Sequence, residues 1–402
     1  MHYETSLIET IAVSLAFAFV GGFVAVRLRL PPLVGYLLAG IVVGPFTPGF
    51  VADVKLAPQL AEIGVILLMF GVGMHFSVRD LLAVRGIAVP GAVAQIVIAT
   101  AMGAGIAHAW GWSLTAGLVF GLALSVASTV VLLRELAARD CLETRDGRIA
   151  VGWLVVEDLV MVLVLVLLPA LSTAVTGPAP SADHAAAPGN LWMSLGITLG
   201  KVAIFVAIML LVGTRFFPWL LRRVERTGSR ELFTLAVIAL AMGVAFGSAQ
   251  LFGVSYALGA FFAGVVINES ELGHRAADNL QPLQDMFSVL FFVAVGMLFD
   301  PSIIVREPWR VLLVLVIIVI GKSLAALGIV IALRHSLGTA LTVSAALSQI
   351  GEFSFILAGL GIGLGLLPLE GRDLILAGAL LSITLNPFVF HLVGRCQATH
   401  PA

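Results

Sequence analysis

An acidic pair, Glu157 and Asp158, stands inside an apolar stretch that carries no other charge. The stretch runs from Ile149 to Leu171 and is long enough to cross a bilayer. A charged carboxylate at the centre of a bilayer costs about 2.5–3.5 kcal/mol on insertion scales, so it persists mainly where it faces a water-filled cavity or a partner. The alternative is a carboxylate that a neighbouring helix merely satisfies. We predict that Asp158 and Glu157 bind a cation or a proton.

Two polar segments interrupt other apolar stretches near their middles. Their polar members are Ser125, Ser128, Thr129, Ser348, Gln349 and Glu352. Small polar residues at membrane depth suit a helix that is broken in its middle, whose freed backbone groups help to bind ions. Helix–helix packing is the alternative role for the hydroxyl residues. We predict that both segments support the ion site.

Lys322 is a single charge near the centre of a further apolar stretch. An ammonium group at this depth should pair with a carboxylate, and Asp158, Glu157 and Glu352 are the candidates. Snorkelling of the side chain to the membrane surface is the alternative. We predict that Lys322 is the buried basic partner of the acidic site.

The composition indicates a membrane protein with many spans. The chain has 402 residues, of which 60% are hydrophobic and 11% charged, whereas soluble domains average about 25% charged residues. The net charge of −1 argues against a nucleic-acid partner. The sequence shows no phosphate-binding loop, nucleophile–base arrangement or metal-ligand spacing. We therefore expect a transporter rather than an enzyme, with no resident metal.

The apolar stretches predict an all-α protein with about thirteen transmembrane helices. Since a membrane helix needs about 20 apolar residues, the spans are predicted near residues 5–27, 31–48, 59–76, 86–110, 112–137, 148–172, 191–221, 230–251, 253–269, 282–299, 308–334, 338–366 and 371–395. No separate soluble domain is expected in the chain.

Basic residues predict the orientation of these spans. Arginines cluster between Arg134 and Arg148 and again between Arg215 and Arg230, whereas the loop Gly177–Gly189 has no basic residue. The predicted external side holds only four: Lys55, Arg306, Arg310 and Arg372. Because Lys and Arg concentrate on the cytoplasmic side, we expect the N-terminus outside and the C-terminus in the cytoplasm.

The chain also repeats itself at an offset of about 224 residues. Ala39–Gly44 resembles Ala263–Asn268, and Val72–Phe76 resembles Val295–Phe299. Chance similarity between glycine-rich helices is the alternative. The corresponding spans are an odd number of spans apart, so the second repeat must be inverted. We predict inverted five-helix repeats over about 31–172 and 253–395, an architecture typical of secondary transporters.

Several segments resemble one known family. They include LVGYLLAGIVVGP, GVILLMFGVGMHF, LALSVASTVVLLREL, VGWLVVEDLVMVLVLVLLP and SQIGEFSFILAGLG. The chain is identified as similar to the monovalent cation:proton antiporter-2 family, in its YbaL/Kef-type branch. The resemblance implies a sodium/proton-antiporter-like fold with two crossed broken helices, a homodimer, and an elevator motion of core helices at about 86–172 and 308–395. The remaining helices would form a dimerisation scaffold.

The resemblance also implies roles for site residues. Asp158 matches the ion- and proton-binding aspartate of the family, Ser128 and Thr129 match the polar break, and Lys322 matches a buried basic residue. Glu157 occupies a position that is Asn in many electroneutral members, Asp in electrogenic ones and Gln in Kef proteins. The stoichiometry of exchange therefore stays open.

The expected function is exchange of a monovalent cation for protons across the bacterial inner membrane. Potassium is favoured over sodium, and the expected partners are K⁺ or Na⁺, H⁺, membrane lipids and a second copy of the chain. The alternatives are a Na⁺/H⁺ antiporter, a gated K⁺ efflux channel, and a sensor or structural membrane protein. Relatives continue into a nucleotide-binding domain, so the chain ending at Ala402 is interpreted as truncated or naturally short. No cofactor is expected in it, and nucleotide regulation would need the missing domain.

Overall fold

The computed structural model describes residues 6–48, 56–75, 78–142, 144–176 and 191–397, and these contain no strand. The predicted external loop Gly177–Gly189 and Lys55 lie outside the described residues. The α-helices are α1 (Ser6–Arg27), α2 (Pro32–Val43), α3 (Ala57–His75), α4 (Val78–Ala109), α5 (Leu114–Ser125), α6 (Thr129–Ala137), α7 (Arg145–Thr176), α8 (Leu191–Ile208), α9 (Thr214–Glu225), α10 (Arg230–Phe252), α11 (Tyr256–Asn268), α12 (Gly273–Met297), α13 (Ile303–Arg306), α14 (Pro308–Val316), α15 (Lys322–Ala332), α16 (Leu337–Ala346), α17 (Glu352–Gly363) and α18 (Leu369–Gln397). The all-α prediction is confirmed.

Many of these helices are long and apolar enough to cross a membrane. Within the described ranges there are nine such stretches, which fall in α1, α4, α5 with α6, α7, α8 with α9, α10, α12, α14 with α15, and α18. Two of them contain a short π-helical segment, Met209–Gly213 before α9 and Ile317–Gly321 before α15. The shorter apolar helices are α2, α3, α11, α16 and α17. The protein is thus a multi-pass membrane protein, and the count of thirteen spans stays a prediction.

Helix boundaries recur at the offset seen in the sequence. The start of α2 at Pro32 corresponds to the start of α11 at Tyr256, and the start of α7 at Arg145 corresponds to that of α18 at Leu369. The interrupted helix α5–α6 likewise corresponds to α16–α17. These helix boundaries agree with the internal repeat that the short sequence matches predict, and the inverted repeats stay a prediction.

Left-handed backbone positions repeat in the same register. Arg29 has φ 59° and its counterpart Gly253 has φ 66°, while Gly111 has φ 82° and its counterpart Arg334 has φ 60°. Residues other than glycine seldom adopt positive φ, so these two matches, at offsets of 224 and 223, agree with the predicted repeat. In each pair an arginine takes the conformation that the other repeat gives to a glycine.

The chain divides into two compact units, and each has its own packing. The first unit comprises Met1–Ile11, Asp53–Phe76 and Val162–Ala294. Within it α3 and α11 approach so closely that a Cβ atom on Gly264 would lie 2.2 Å from the carbonyl oxygen of Phe70. Small residues at such crossings let membrane helices pack backbone to backbone.

The second unit comprises Ala12–Ala52, Ser77–Met161 and Val295–Ala402. It contains both interrupted helices and a buried core around the indole of Trp153. In the same unit α4 and α5 meet at Gly121, where a Cβ atom would lie 2.3 Å from the carbonyl oxygen of Thr100. The assignment of particular helices to a mobile core and to a dimerisation scaffold stays a prediction.

Candidate functional site

The first interrupted helix is broken over the three residues between α5 and α6. Helix α5 ends at Ser125, the backbone is extended at Val126, and Ser128 caps the start of α6. The Ser128 hydroxyl accepts a hydrogen bond from the backbone N–H of Val131 at 3.3 Å, the usual geometry of a serine N-cap. The predicted polar break therefore ends at Ser128, the residue that caps α6.

The second interruption lies against the first. Helix α16 ends at Ala346, α17 begins at Glu352, and Gly351 lies between them. A Cβ atom on Gly351 would lie 2.4 Å from the Cα atom of Ser128, so only glycine allows this contact. The two broken helices therefore cross at Ser128 and Gly351, as predicted for the fold.

The side-chain amide of Gln349 joins the two breaks. Its Oε1 atom accepts the backbone N–H of Ser128 at 2.9 Å, and its Nε2 atom donates to the Ser128 carbonyl at 3.2 Å. Buried backbone groups that lack a helical partner need such a substitute. Gln349 thus supplies an acceptor for the Ser128 N–H and a second donor for the Ser128 carbonyl, which also accepts the backbone N–H of Leu132 at 3.1 Å.

Two further side-chain amides donate to carbonyl groups at the ends of α5 and α16. Gln95 on α4 donates to the carbonyl of Ser125 at 3.1 Å. Asn386 on α18 donates to the carbonyl of Ala345 at 2.9 Å and to the Ser348 hydroxyl at 2.9 Å. The sequence reasoning missed both amides. Their only signal was an isolated amide inside an otherwise apolar stretch.

Three buried carboxyl groups surround the crossing. Asp158 accepts a hydrogen bond from the Thr129 hydroxyl at 3.0 Å, Glu157 accepts the backbone N–H of Ala127 at 2.9 Å, and Glu352 accepts the Ser128 hydroxyl at 3.0 Å. Their exposed fractions are 3%, 0% and 1%.

Each of the three carboxyl groups keeps one buried oxygen atom with no hydrogen-bond partner in the described part of the chain. These atoms are Oδ1 of Asp158, Oε1 of Glu157 and Oε1 of Glu352. Buried polar atoms are nearly always satisfied. Their open oxygens are therefore suited to receive a proton or a cation.

Lys322 lies fully inside the protein, with an exposed fraction of 0%. Its ammonium group donates to the carbonyl of Gln349 at 3.0 Å. The carboxylate whose charge acts on it is Glu157, although no ion pair within 4.0 Å forms at Lys322 among the described residues. Of the three candidate partners, the electrostatics therefore favour Glu157, and the ammonium group is buried inside the protein.

Two predicted site residues point elsewhere. The Ser125 hydroxyl donates to the carbonyl of Leu122 at 2.8 Å, and the Ser348 hydroxyl donates to the carbonyl of Ala345 at 2.9 Å. Both hydroxyls therefore bind the last turn of their own helix and make no hydrogen bond to a carboxylate. The other predicted residues lie together at the crossing.

The donor set around Asp158 consists of oxygen atoms. Carboxylate and hydroxyl oxygens suit hard cations. Among the described residues, no three His, Cys, Asp or Glu side chains are grouped to hold a resident metal ion. The geometry is therefore that of a small, buried site lined by oxygen atoms.

Comparison with known proteins identifies similar chains. The family described as "Sodium/hydrogen exchanger, transmembrane" matches residues 15–395. The chain is 61% identical to the Escherichia coli (strain K12) protein YbaL, for which cation/proton antiport is itself a proposed activity; the match covers 99% of this chain and 70% of that protein. It is 30% identical to K(+) efflux antiporter 4 of Arabidopsis thaliana, with 98% of this chain and 65% of that protein covered.

A solved structure has the same fold. The sodium proton antiporter MjNhaP1 from Methanocaldococcus jannaschii superimposes with a TM-score of 0.74 at 17% sequence identity, covering 98% of this chain and 99% of that chain. At this identity the likeness concerns the fold alone. The predicted antiporter-like fold is confirmed.

Proposed function

Because the chain belongs to the sodium/hydrogen exchanger family, we propose that it exchanges a monovalent cation for protons across the bacterial inner membrane. The observation that carries the proposal is Asp158, buried beside the crossing of two broken helices with one oxygen atom open. A carboxylate there needs one positive charge, and either a proton or a cation supplies it. Since both use the same oxygen atoms, binding of one excludes the other, and this exclusion couples the two flows.

Glu157 and Lys322 are two further charged residues near the exchange site. Because the charge of Glu157 acts on the Lys322 ammonium group, their opposite charges offset one another inside the protein. Of the two neighbouring acids Glu157 and Asp158, Asp158 is then the one that is available to bind the transported ion. Thr129, whose hydroxyl already contacts Asp158, would add an oxygen ligand to a bound cation.

Potassium is the proposed cation. Support comes from the Arabidopsis relative, which is named a K(+) efflux antiporter. Sodium is the second candidate, since the protein with the same fold is described as a sodium proton antiporter. Oxygen ligands alone suit both ions, so the choice rests on the relatives' names.

Transport would proceed by alternating access of an elevator type. All residues of the site lie in the second unit, which would carry the bound ion as one body. Assembly as a homodimer and the orientation with an external N-terminus remain predictions of the sequence.

Proton movement into proteoliposomes tests this function. A pH-sensitive dye inside the vesicles should report flux when K⁺ is added outside, a smaller flux with Na⁺ and none with choline. Equal or greater flux with Na⁺ would replace potassium by sodium in the proposal. Absence of flux with either ion would contradict exchange.

A further inference from the structure

Trp153 is the largest side chain that lies fully inside the described part of the protein, with an exposed fraction of 0%. Its indole ring packs against Gly91 of α4, where a Cβ atom would lie 2.1 Å from the Cζ3 atom of the ring. Only glycine leaves room for the ring at this place. The indole N–H has no hydrogen-bond partner among the described residues, although a buried tryptophan usually finds one. The ring is therefore fixed by packing while its N–H stays unpaired.

Glu157 follows Trp153 by one turn of α7. Its Oε2 atom accepts the backbone N–H of Ala127 at 2.9 Å, and its Oε1 atom is buried without a partner in the described part of the chain. Residues four apart on a helix are neighbours, with Cβ atoms about 5–6 Å apart, and long side chains lean back over the preceding turn. The indole N–H acts on the Glu157 carboxylate, but the two groups fall short of hydrogen-bond geometry. An unpaired buried donor thus neighbours an unpaired buried acceptor.

The surroundings of Glu157 favour a hydrogen bond between these two groups. Its charged neighbours are Lys322 from α15, which attracts its negative charge, and Asp158 on α7 itself. Gln95 on α4 also has an open buried oxygen atom, but this oxygen is neutral. Hydrogen bonds to an ionised acceptor are roughly twice as strong as those to a neutral one. The carboxylate is therefore the better acceptor, and the last torsion of a glutamate side chain is broad enough to bring Oε1 to the indole.

We propose that Trp153 is a positioning residue of the exchange site, whose indole N–H donates to the open oxygen atom of Glu157 and holds that carboxylate against the first break. Glu157 then has a donor on each oxygen atom and keeps its negative charge, because hydrogen bonds to the ionised form favour it. The exchanged proton therefore binds at Asp158. This inference rests on the proposed function of Asp158, and Trp153 itself need not touch the transported ion.

The variant Trp153→Phe removes the N–H and keeps an aromatic ring beside Gly91. Loss of a hydrogen bond to a charged group changes an equilibrium by roughly tenfold or more. Proton binding by Glu157 should strengthen by a similar factor, and a protonated Glu157 no longer offsets the charge of Lys322. In proteoliposomes driven by K⁺, we expect the acidic limb of the pH–activity profile to move about one pH unit to higher pH. The maximal rate at alkaline pH should be largely kept.

Trp112→Phe is the matched control. Trp112 belongs to the same unit, and its ring packs edge-on against Trp110 and Phe120. Its replacement should leave the acidic limb where the wild type has it, even if stability falls. A merely structural role of Trp153 would likewise lower the melting temperature and the rate without moving the limb. An acidic limb of Trp153→Phe that coincides with that of the wild type, or moves to lower pH, would overturn the proposal.

Ultraviolet resonance Raman spectra report hydrogen bonding of the indole N–H without any need for transport. The chain has six tryptophans, so the difference between the wild type and Trp153→Phe assigns the Trp153 signal. Glu157→Gln makes the acceptor neutral, and the signal should shift towards a weaker hydrogen bond. Indole bands that are the same in the wild type and Glu157→Gln would overturn the contact, and this comparison does not depend on the folding of Trp153→Phe. A shifted signal in a wild type without cation-coupled flux would contradict the proposed function and leave the contact standing.

Discussion

Replacing Lys322 by methionine tests how the buried charges hold the crossing together. The ammonium group is fully buried, donates to the carbonyl of Gln349 at 3.0 Å and lies within the electrostatic influence of Glu157. Methionine keeps most of the side-chain volume and removes the charge and its donor. The variant therefore leaves one buried carbonyl without a donor and one buried carboxylate without its counter-charge.

The expected cost follows from these two losses. Breaking a buried charge pair by removing one partner costs about 3–5 kcal/mol in soluble proteins, mainly because the other charge is left uncompensated. At about 2 °C per kcal/mol for a chain of this size, the apparent melting temperature should fall by roughly 6–10 °C. The loss should shrink at acidic pH, where a proton can neutralise Glu157 in place of the ammonium group.

The assay is thermal unfolding of purified protein in detergent at one scan rate, with a double-mutant cycle. The double variant Glu157→Gln with Lys322→Met removes both charges and should recover about 1 kcal/mol relative to the sum of the single variants, within the range found for residues that are coupled without being independent. An unchanged melting temperature in Lys322→Met, or strict additivity in the double variant, would refute the electrostatic account of this pair.

Two further substitutions test the fold around the site. Gly351→Ala places a Cβ atom 2.4 Å from the Cα atom of Ser128, so we expect a loss of about 2 kcal/mol of stability or more and a loss of transport. Gly359→Ala in the following helix α17, with open space around its Cβ position, should be tolerated. Hydrogen bonds from Ser302, with help from Arg306, lower the pKa of Asp300 below its ordinary value of 3.8. A lowered pKa stabilises the folded state at neutral pH and this contribution disappears on acidification, so the melting temperatures of the wild type and Asp300→Asn should differ slightly at pH 7 and converge below pH 3.8.

The sequence predicted the interruptions because their residues violate the rules of lipid-exposed helices. Ser128 and Glu352 are polar at depths where apolar residues are expected, so each was expected to face a partner or a cavity inside the protein. The repeat was detectable because both halves keep glycines at the same helix crossings, such as Gly40 and Gly264. A single sequence therefore indicates most clearly those residues that depart from a strong hydrophobic pattern.

The contacts of individual side chains could not be predicted to the same degree. The sequence left three acids as possible partners of Lys322. Only the packing of α15 against the breaks shows that the ammonium group donates to the carbonyl of Gln349 and that Glu157 is the carboxylate whose charge acts on it. Gln95 and Asn386 were missed because an isolated amide is also compatible with ordinary helix–helix hydrogen bonds.

The central claim is that one carboxylate binds either the cation or the proton. Asp158→Asn tests it most directly because the substitution keeps the volume and the capacity to accept from Thr129 while removing the exchangeable charge. In proteoliposomes with K⁺ added outside, with Glu135→Gln as the control, we expect no cation-dependent proton movement between pH 6 and pH 9 from a variant that elutes and melts as a folded protein. Exchange that persists in folded Asp158→Asn at a rate near that of the wild type would contradict the account.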